Sequence, residues 1–301
     1  VSKQRYLVRR FVALGLVVLV VGVLGLGVSS VVGGDDGDST TPADSVPLSG
    51  PDQSSGDPSG SVVVTAPPIT DPPSTDPPAP GPPTPEDKAK VLILGDSDAG
   101  TFGPYLMSLL DPNGVTESEL FYKVSSGLSR PDFYDWPADL AVRIPEEDPE
   151  ILVVTFGGND AQDILIDGVS RPVDSDEWRA EYGRRVGEVM DMMIEGGRTL
   201  VWVGIPNASE EGFTQRLEIL RDVTLAEIEK RPGSVIYVDT WNRFAGLSGG
   251  YADYVIDPRD GQGKNVRASD GFHLNVTGAE ILALDIARVV EDELRARGAA
   301  I

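Results

Sequence analysis

From residue 88 onward, short apolar runs alternate with longer stretches in which apolar residues recur at helical spacing. The runs Lys90–Leu94, Ile151–Phe156 and Thr199–Gly204 are nearly continuous in Val, Ile and Leu. That pattern predicts parallel strands covered on both faces, because a strand with one wet face alternates instead. Leu120–Val124 and Ser234–Asp239 complete a set of five predicted strands. Between them the spacing predicts helices over about Thr101–Leu110, Trp136–Ile144, Ser175–Glu195 and Glu210–Lys230. A last helix, about Val276–Arg297, carries apolar positions at Ile281, Leu284, Ile286 and Val289. Strand–helix alternation of this kind predicts a three-layer α/β/α sandwich on a five-stranded parallel sheet. Tyr251–Ile256 and Lys264–Arg267 flank Pro258-Arg259-Asp260-Gly261 and read as a β-hairpin.

The first 87 residues follow other rules. Phe11 to Val32 is 22 residues long without a charge, and as a helix it would span roughly 33 Å, enough for a bilayer core of about 30 Å. Lys3, Arg5, Arg9 and Arg10 precede it. The positive-inside rule therefore puts residues 1–10 in the cytoplasm and the remainder outside, with 11–32 as a single-pass anchor at the cell membrane. The alternative is a cleaved signal peptide ending near Val28-Ser29-Ser30, which would release a secreted protein, although the apolar run is long for one. Residues 33–87 hold 14 of the 24 prolines and ten acids against no base. Such a segment cannot bury a core and is expected to be a disordered, partly polyproline-II tether. The globular domain is then 88–301.

The net charge of -23 argues against nucleic acid as a partner, since phosphate binding needs clustered Lys and Arg. No cysteine and a single histidine, His273, occur, so disulfides and Cys/His zinc sites are excluded and any histidine-based mechanism runs through one residue. No Gly-x-Gly-x-x-Gly follows the first strand, which argues against a dinucleotide enzyme.

Four short polar blocks interrupt the pattern where predicted strands end or the last helix begins. They are Gly95-Asp96-Ser97, Gly127 within Ser125–Arg130, Gly157-Gly158-Asn159-Asp160, and Asp270-Gly271-Phe272-His273. Each alone is compatible with an ordinary turn, a helix cap or a structural histidine. Together they fill the roles of an acyl-transfer site, because strand carboxyl ends converge on one rim. Ser97 is the candidate nucleophile, His273 the base that takes its proton, and Asp270 the carboxylate that orients the imidazole. The N–H groups of Ser97 and Gly127 and the Asn159 amide are candidate oxyanion donors. Arg130 and the loop through Phe133, Tyr134 and Trp136 lie beside Gly127 and either contact substrate or form a packed surface loop. Asp160 is a second candidate substrate contact.

The ordered set Gly-Asp-Ser, Gly, Gly-x-Asn-Asp and Asp-x-x-His resembles the four blocks of the SGNH hydrolases, also called GDSL esterases/lipases, over essentially all of 88–301. The strings from Ser126 to Phe133 and Asn159-Asp160-Ala161-Gln162 look like a bacterial subgroup catalogued without an assigned function. The resemblance implies a flavodoxin-like hydrolase fold and the residue roles just given, with no metal or organic cofactor. One departure is Asp98, where members often carry an apolar residue; its carboxylate would disfavour anionic substrates or face solvent. The expected activity is that of an extracytoplasmic serine esterase acting on O-acyl, above all O-acetyl, esters of carbohydrates or cell-envelope polymers. Two alternatives share these residues. One is an O-acyltransferase to wall or exported polysaccharide, working beside a membrane acyltransferase; the other is a non-catalytic glycan-binding domain.

Overall fold

The computed structural model describes residues 81–301. The anchor expected over 11–32 and all but the end of the tether expected over 33–87 lie outside the described residues. Among the described residues, no helix is long and apolar enough to cross a membrane.

Five parallel strands form one sheet in the order β2-β1-β3-β6-β7. They are β1 (Ala89–Gly95), β2 (Thr116–Tyr122), β3 (Ile151–Thr155), β6 (Thr199–Val203) and β7 (Val235–Val238). Two antiparallel hairpins stand apart from the sheet: β4 (Ile164–Ile166) with β5 (Val169–Arg171), and β8 (Tyr254–Ile256) with β9 (Gly263–Asn265). The main helices are α1 (Ser97–Leu110), α2 (Trp136–Glu147), α3 (Asp176–Ile194), α4 (Glu211–Glu229) and α6 (Val276–Ala296), with a single turn α5 (Thr240–Arg243) after β7. This is the three-layer α/β/α sandwich on a five-stranded parallel sheet that the pattern predicts.

The period of two along each strand sorts side chains between two cores. Val91, Ile93, Ile151, Val153, Val201 and Val203 pack with Phe102 and Leu106 of α1 and Ile281 and Ile286 of α6. The intervening Leu92, Leu94, Leu152, Val154, Leu200 and Trp202 pack with Trp136 and Leu140 of α2, Trp178, Tyr182 and Met190 of α3, and Leu220 of α4. Both faces are therefore dry, which is why these strands read as unbroken apolar runs.

Three differences from the sequence expectation have local causes. β2 begins four residues before Leu120, because it is an edge strand pairing Thr116 with Ala89, and exposed Glu117 and Glu119 interrupt its apolar signal. α1 starts at Ser97 rather than Thr101, because the Asp96 side chain caps it by accepting from the Asp98 N–H at 2.9 Å. The hairpin β4–β5 and the turn α5 carry too few residues to show a period. The β8–β9 hairpin forms around Pro258–Gly261 as the turn signal predicts.

Candidate active site

At the carboxyl end of β1 the chain turns sharply into α1. Gly95 has φ +145°, and a Cβ there would lie 2.2 Å from the Thr155 carbonyl of β3, so only glycine lets the two strands end side by side. Asp96 is completely buried. Ser97 is thus placed, half-exposed, as the first residue of a helix whose N-terminal dipole favours negative charge nearby.

The histidine arrives from the other end of the chain. Ahead of α6, the Ala268 N–H donates to the His273 carbonyl at 2.8 Å, and the Ser209 N–H donates to the Gly271 carbonyl at 2.8 Å. Gly271, at φ +71°, leaves no room for a side chain against Ser209. Asp270 Oδ1 accepts from the N–H groups of Phe272 and His273 at 2.9 and 3.0 Å, curling the loop so that Asp270 Oδ2 meets His273 Nδ1 at 2.7 Å. His273 Nε2 lies 3.0 Å from Ser97 Oγ. Serine, histidine and carboxylate, spread over 176 residues of sequence, therefore form one continuous hydrogen-bonded relay.

Arg267, buried within this assembly, donates to the carbonyls of Phe272 and Phe244 and to Asn207 Oδ1 at 2.9, 3.1 and 2.9 Å. A guanidinium that satisfies three acceptors fixes the main chain one residue before the histidine. No local pattern marks it, because its partners lie 5, 23 and 60 residues away.

The Gly127 loop and the block after β3 meet through Asp160. Its carboxylate is buried and accepts from the Leu128 N–H at 3.0 Å, the Ser129 N–H at 2.7 Å and the Tyr182 hydroxyl at 3.0 Å. Arg185 grips the same loop by donating to the Leu128 and Ser129 carbonyls. A Cβ on Gly127 would fall 2.1 Å from Asp160 Oδ1, so the glycine is required by this close approach. The expectation that Asp160 contacts substrate is corrected here: both of its oxygens are spent on the protein interior, and it acts as a strut for the glycine loop.

Asn159 Nδ2 donates to the Ser126 carbonyl at 3.0 Å and faces Asp96 Oδ2 at 3.4 Å. The Asn159 amide is thereby held across the gap between the serine turn and the Gly127 loop. Among the described residues, neither the Ser97 N–H nor the Gly127 N–H is engaged by an acceptor. Arg130, offered by the sequence as a substrate contact, forks instead onto the exposed carboxylate of Asp132 at 2.8 Å on both arms. Trp136 is core, with its indole N–H on Ser126 Oγ at 3.0 Å. Arg130, Pro131, Asp132 and Phe133 are exposed, and the loop packs only through Tyr134 and Trp136.

The electrostatics follow from burial and pairing. The hydrogen bond from His273 and two backbone N–H donors outweigh burial and pull Asp270 down to about 2, so it is ionised throughout the working range. Burial disfavours the His273 imidazolium, but the Asp270 hydrogen bond and the charges of Asp98, Asp270 and Asp96 prevail and lift the imidazole to about 9. Burial, together with the Asp98 charge, raises Asp96. Burial raises Asp160 as well, against the opposing pull of the Ser129 and Leu128 N–H groups. Among the described residues, no three His, Asp or Glu side chains converge in a metal-holding arrangement.

Solved structures of similar overall arrangement include three bacterial hydrolases. A GDSL-like lipase from Bacteroides thetaiotaomicron is 12% identical, with a TM-score of 0.49, over 71% of this chain and 92% of that one. A psychrotrophic esterase from Pseudoalteromonas sp. is 12% identical, with a TM-score of 0.48, over 69% and 100%. An acetylxylan esterase from Geobacillus stearothermophilus is 16% identical, with a TM-score of 0.47, over 66% and 93%. No curated protein matches the sequence. The model of one protein family, described as "Protein of unknown function (DUF459)", matches residues 90–289, a span that runs from β1 into α6 and contains all four polar blocks. By that match over well over half its length, the chain belongs to the DUF459 family.

Proposed function

We propose that the domain is a serine ester hydrolase. The observation that carries this reading is the continuous relay from Ser97 Oγ through His273 to Asp270, at 3.0 and 2.7 Å. Neutral His273 takes the Ser97 proton as Oγ attacks the ester carbonyl, and Asp270 stabilises the imidazolium that forms. The oxyanion donors in this mechanism are the Ser97 and Gly127 N–H groups and the Asn159 amide, which gives up its long 3.4 Å contact with Asp96 Oδ2 to serve the oxygen. Imidazolium then protonates the departing alkoxide. Water, deprotonated by the same imidazole, attacks the acyl-serine, releases the carboxylic acid and restores Ser97. The proposed substrates are O-acyl esters, foremost O-acetyl groups on carbohydrates of the cell envelope. The reasoning is that residues 11–32 read as an anchor with the domain on the outer side, at the end of a Pro-rich tether.

Labelling with a fluorophosphonate probe, alongside hydrolysis of p-nitrophenyl acetate, tests the reading. Folded protein that neither labels nor hydrolyses any of a panel of acetylated sugars would remove it.

Two further outcomes are expected. Asn159→Ala should lower kcat by about 10²–10³-fold, the usual consequence of removing one oxyanion donor, with little change in KM. Steady-state kinetics decide it, and an unchanged kcat would take Asn159 out of the oxyanion site. The second concerns pH. The base must be neutral, and His273 is lifted to about 9 in the folded protein, above the ordinary value near 6.5. Raising the pKa enlarges the charged, inactive fraction at neutrality. kcat/KM should therefore rise tenfold per pH unit below a midpoint on the alkaline side of 7 and level off above it. A profile already flat from pH 6 would contradict this.

A further inference from the structure

Beneath the relay, on the inner side of α1, lies a small enclosed cavity lined by Asp98, Thr101, Phe102, Thr155, Gly204 and Leu274, among others. It has room of about 10 Å³, the space of one water molecule at most. Asp98, the residue after Ser97, is only 9% exposed, which corrects the sequence reading of it as facing solvent. Among the described residues, its Oδ2 has no hydrogen-bond partner within the protein, nor does the buried Thr155 Oγ1 on the same cavity. A buried carboxylate oxygen without a partner is costly, and the apolar neighbours Phe102, Leu274 and Leu282 would accept a leucine instead.

The position of that oxygen relative to the histidine gives it a use. A Cβ built on Gly158 would lie 2.8 Å from the Phe272 ring and 3.5 Å from Asp98 Oδ2. The same Phe272 ring packs edge-on against His273, with centroids 4.9 Å apart. Gly158 thus lets Phe272 of the histidine loop and the Asp98 carboxylate approach the same stretch of backbone, and Asp98 shares the small cavity with Leu274, the residue after His273. Charges separated by protein rather than solvent interact strongly.

We propose that Asp98 is a second carboxylate of the catalytic charge system, acting on His273 through space from the buried side while Asp270 acts on it through a hydrogen bond. This deepens the esterase reading and rests on it for its catalytic meaning. Asp98 holds the imidazolium that forms as Ser97 attacks, and it moves the working range of the base toward alkaline pH. The other charged groups that bear on the imidazole are Asp270 on its own loop and Asp96 at the end of β1; Arg267, which donates to the Phe272 carbonyl, and Asp270 bear on Asp98. Burial raises the Asp98 carboxyl and the His273 charge opposes that rise; the Asp98 charge in turn favours the imidazolium, beside the Asp270 hydrogen bond.

Because the chain has one histidine, its titration can be followed directly by NMR of full-length protein carrying ¹³C-labelled histidine, with no assignment and no need for activity. The Asp98→Asn and Asp98→Leu variants are compared with wild type, the leucine matching the apolar lining should the amide fail to fold. Both variants are expected to lower the imidazole midpoint by roughly one pH unit and to shift the acid limb of kcat/KM by the same amount. A merely structural Asp98 would change the unfolding midpoint and leave the titration where it was, and that result overturns the proposal. If the midpoint moves but wild-type protein hydrolyses no ester, the charge pairing stands and the esterase reading falls.

Discussion

Ser97→Ala is expected to reduce ester hydrolysis by about 10⁴–10⁶-fold, with the fold intact. The side chain is half-exposed at the first position of α1, so removing one oxygen opens no cavity, and the helix keeps its Asp96 cap. What disappears is the proposed nucleophile, whose Oγ lies 3.0 Å from His273 Nε2. His273→Ala should lose nearly as much, and the double variant little more than either alone, because nucleophile and base act as one unit. Hydrolysis of p-nitrophenyl acetate, with circular dichroism as the control for folding, measures all three. Equal activity in wild type and Ser97→Ala would mean that any observed turnover arises elsewhere on the surface.

The next largest effect is expected from a residue that touches no substrate. Asp160→Ala should destabilise the domain by about 3–5 kcal/mol, because it leaves the buried N–H groups of Leu128 and Ser129 and the Tyr182 hydroxyl without their acceptor. The same three donors tie the Gly127 loop to β3 and α3, so the oxyanion side of the site loosens with them. kcat is expected to fall by about 10²-fold, the loss of one well-placed donor. Asp160→Asn keeps the shape but presents an amide N–H to one of three donors, and should fall between. Urea unfolding gives the stability change and single-turnover kinetics the rate. An Asp160→Ala protein with an unchanged unfolding midpoint would show that the strut is dispensable.

These two residues mark how far the site is legible without coordinates. Ser97, Asn159 and His273 announce themselves because a small polar block ending an apolar run is visible within a few positions. Asp160 is equally visible in the Gly157–Asp160 block, yet its role is misread from sequence, since a carboxylate beside an oxyanion block suggests solvent and substrate. Its burial is favourable only because donors from 22, 31 and 32 residues away close around it. Asp98 follows the same logic with the opposite balance: it is buried although, among the described residues, one of its oxygens finds no protein partner. Arg267 carries no sequence signal at all.

By itself, the sequence determines the order of strands and helices, the dryness of both sheet faces and the four blocks at the strand ends. Those are consequences of local periodicity and backbone preference, which act over a handful of residues. Only the tertiary structure decides the register of the edge strand β2, the closure of Ser97, His273 and Asp270 into one relay, and which acidic side chains turn inward. The physical reason is the same in each case. Whether a polar group gains or loses by leaving water depends on the partners that meet it there, and those partners are brought by segments far away in the chain.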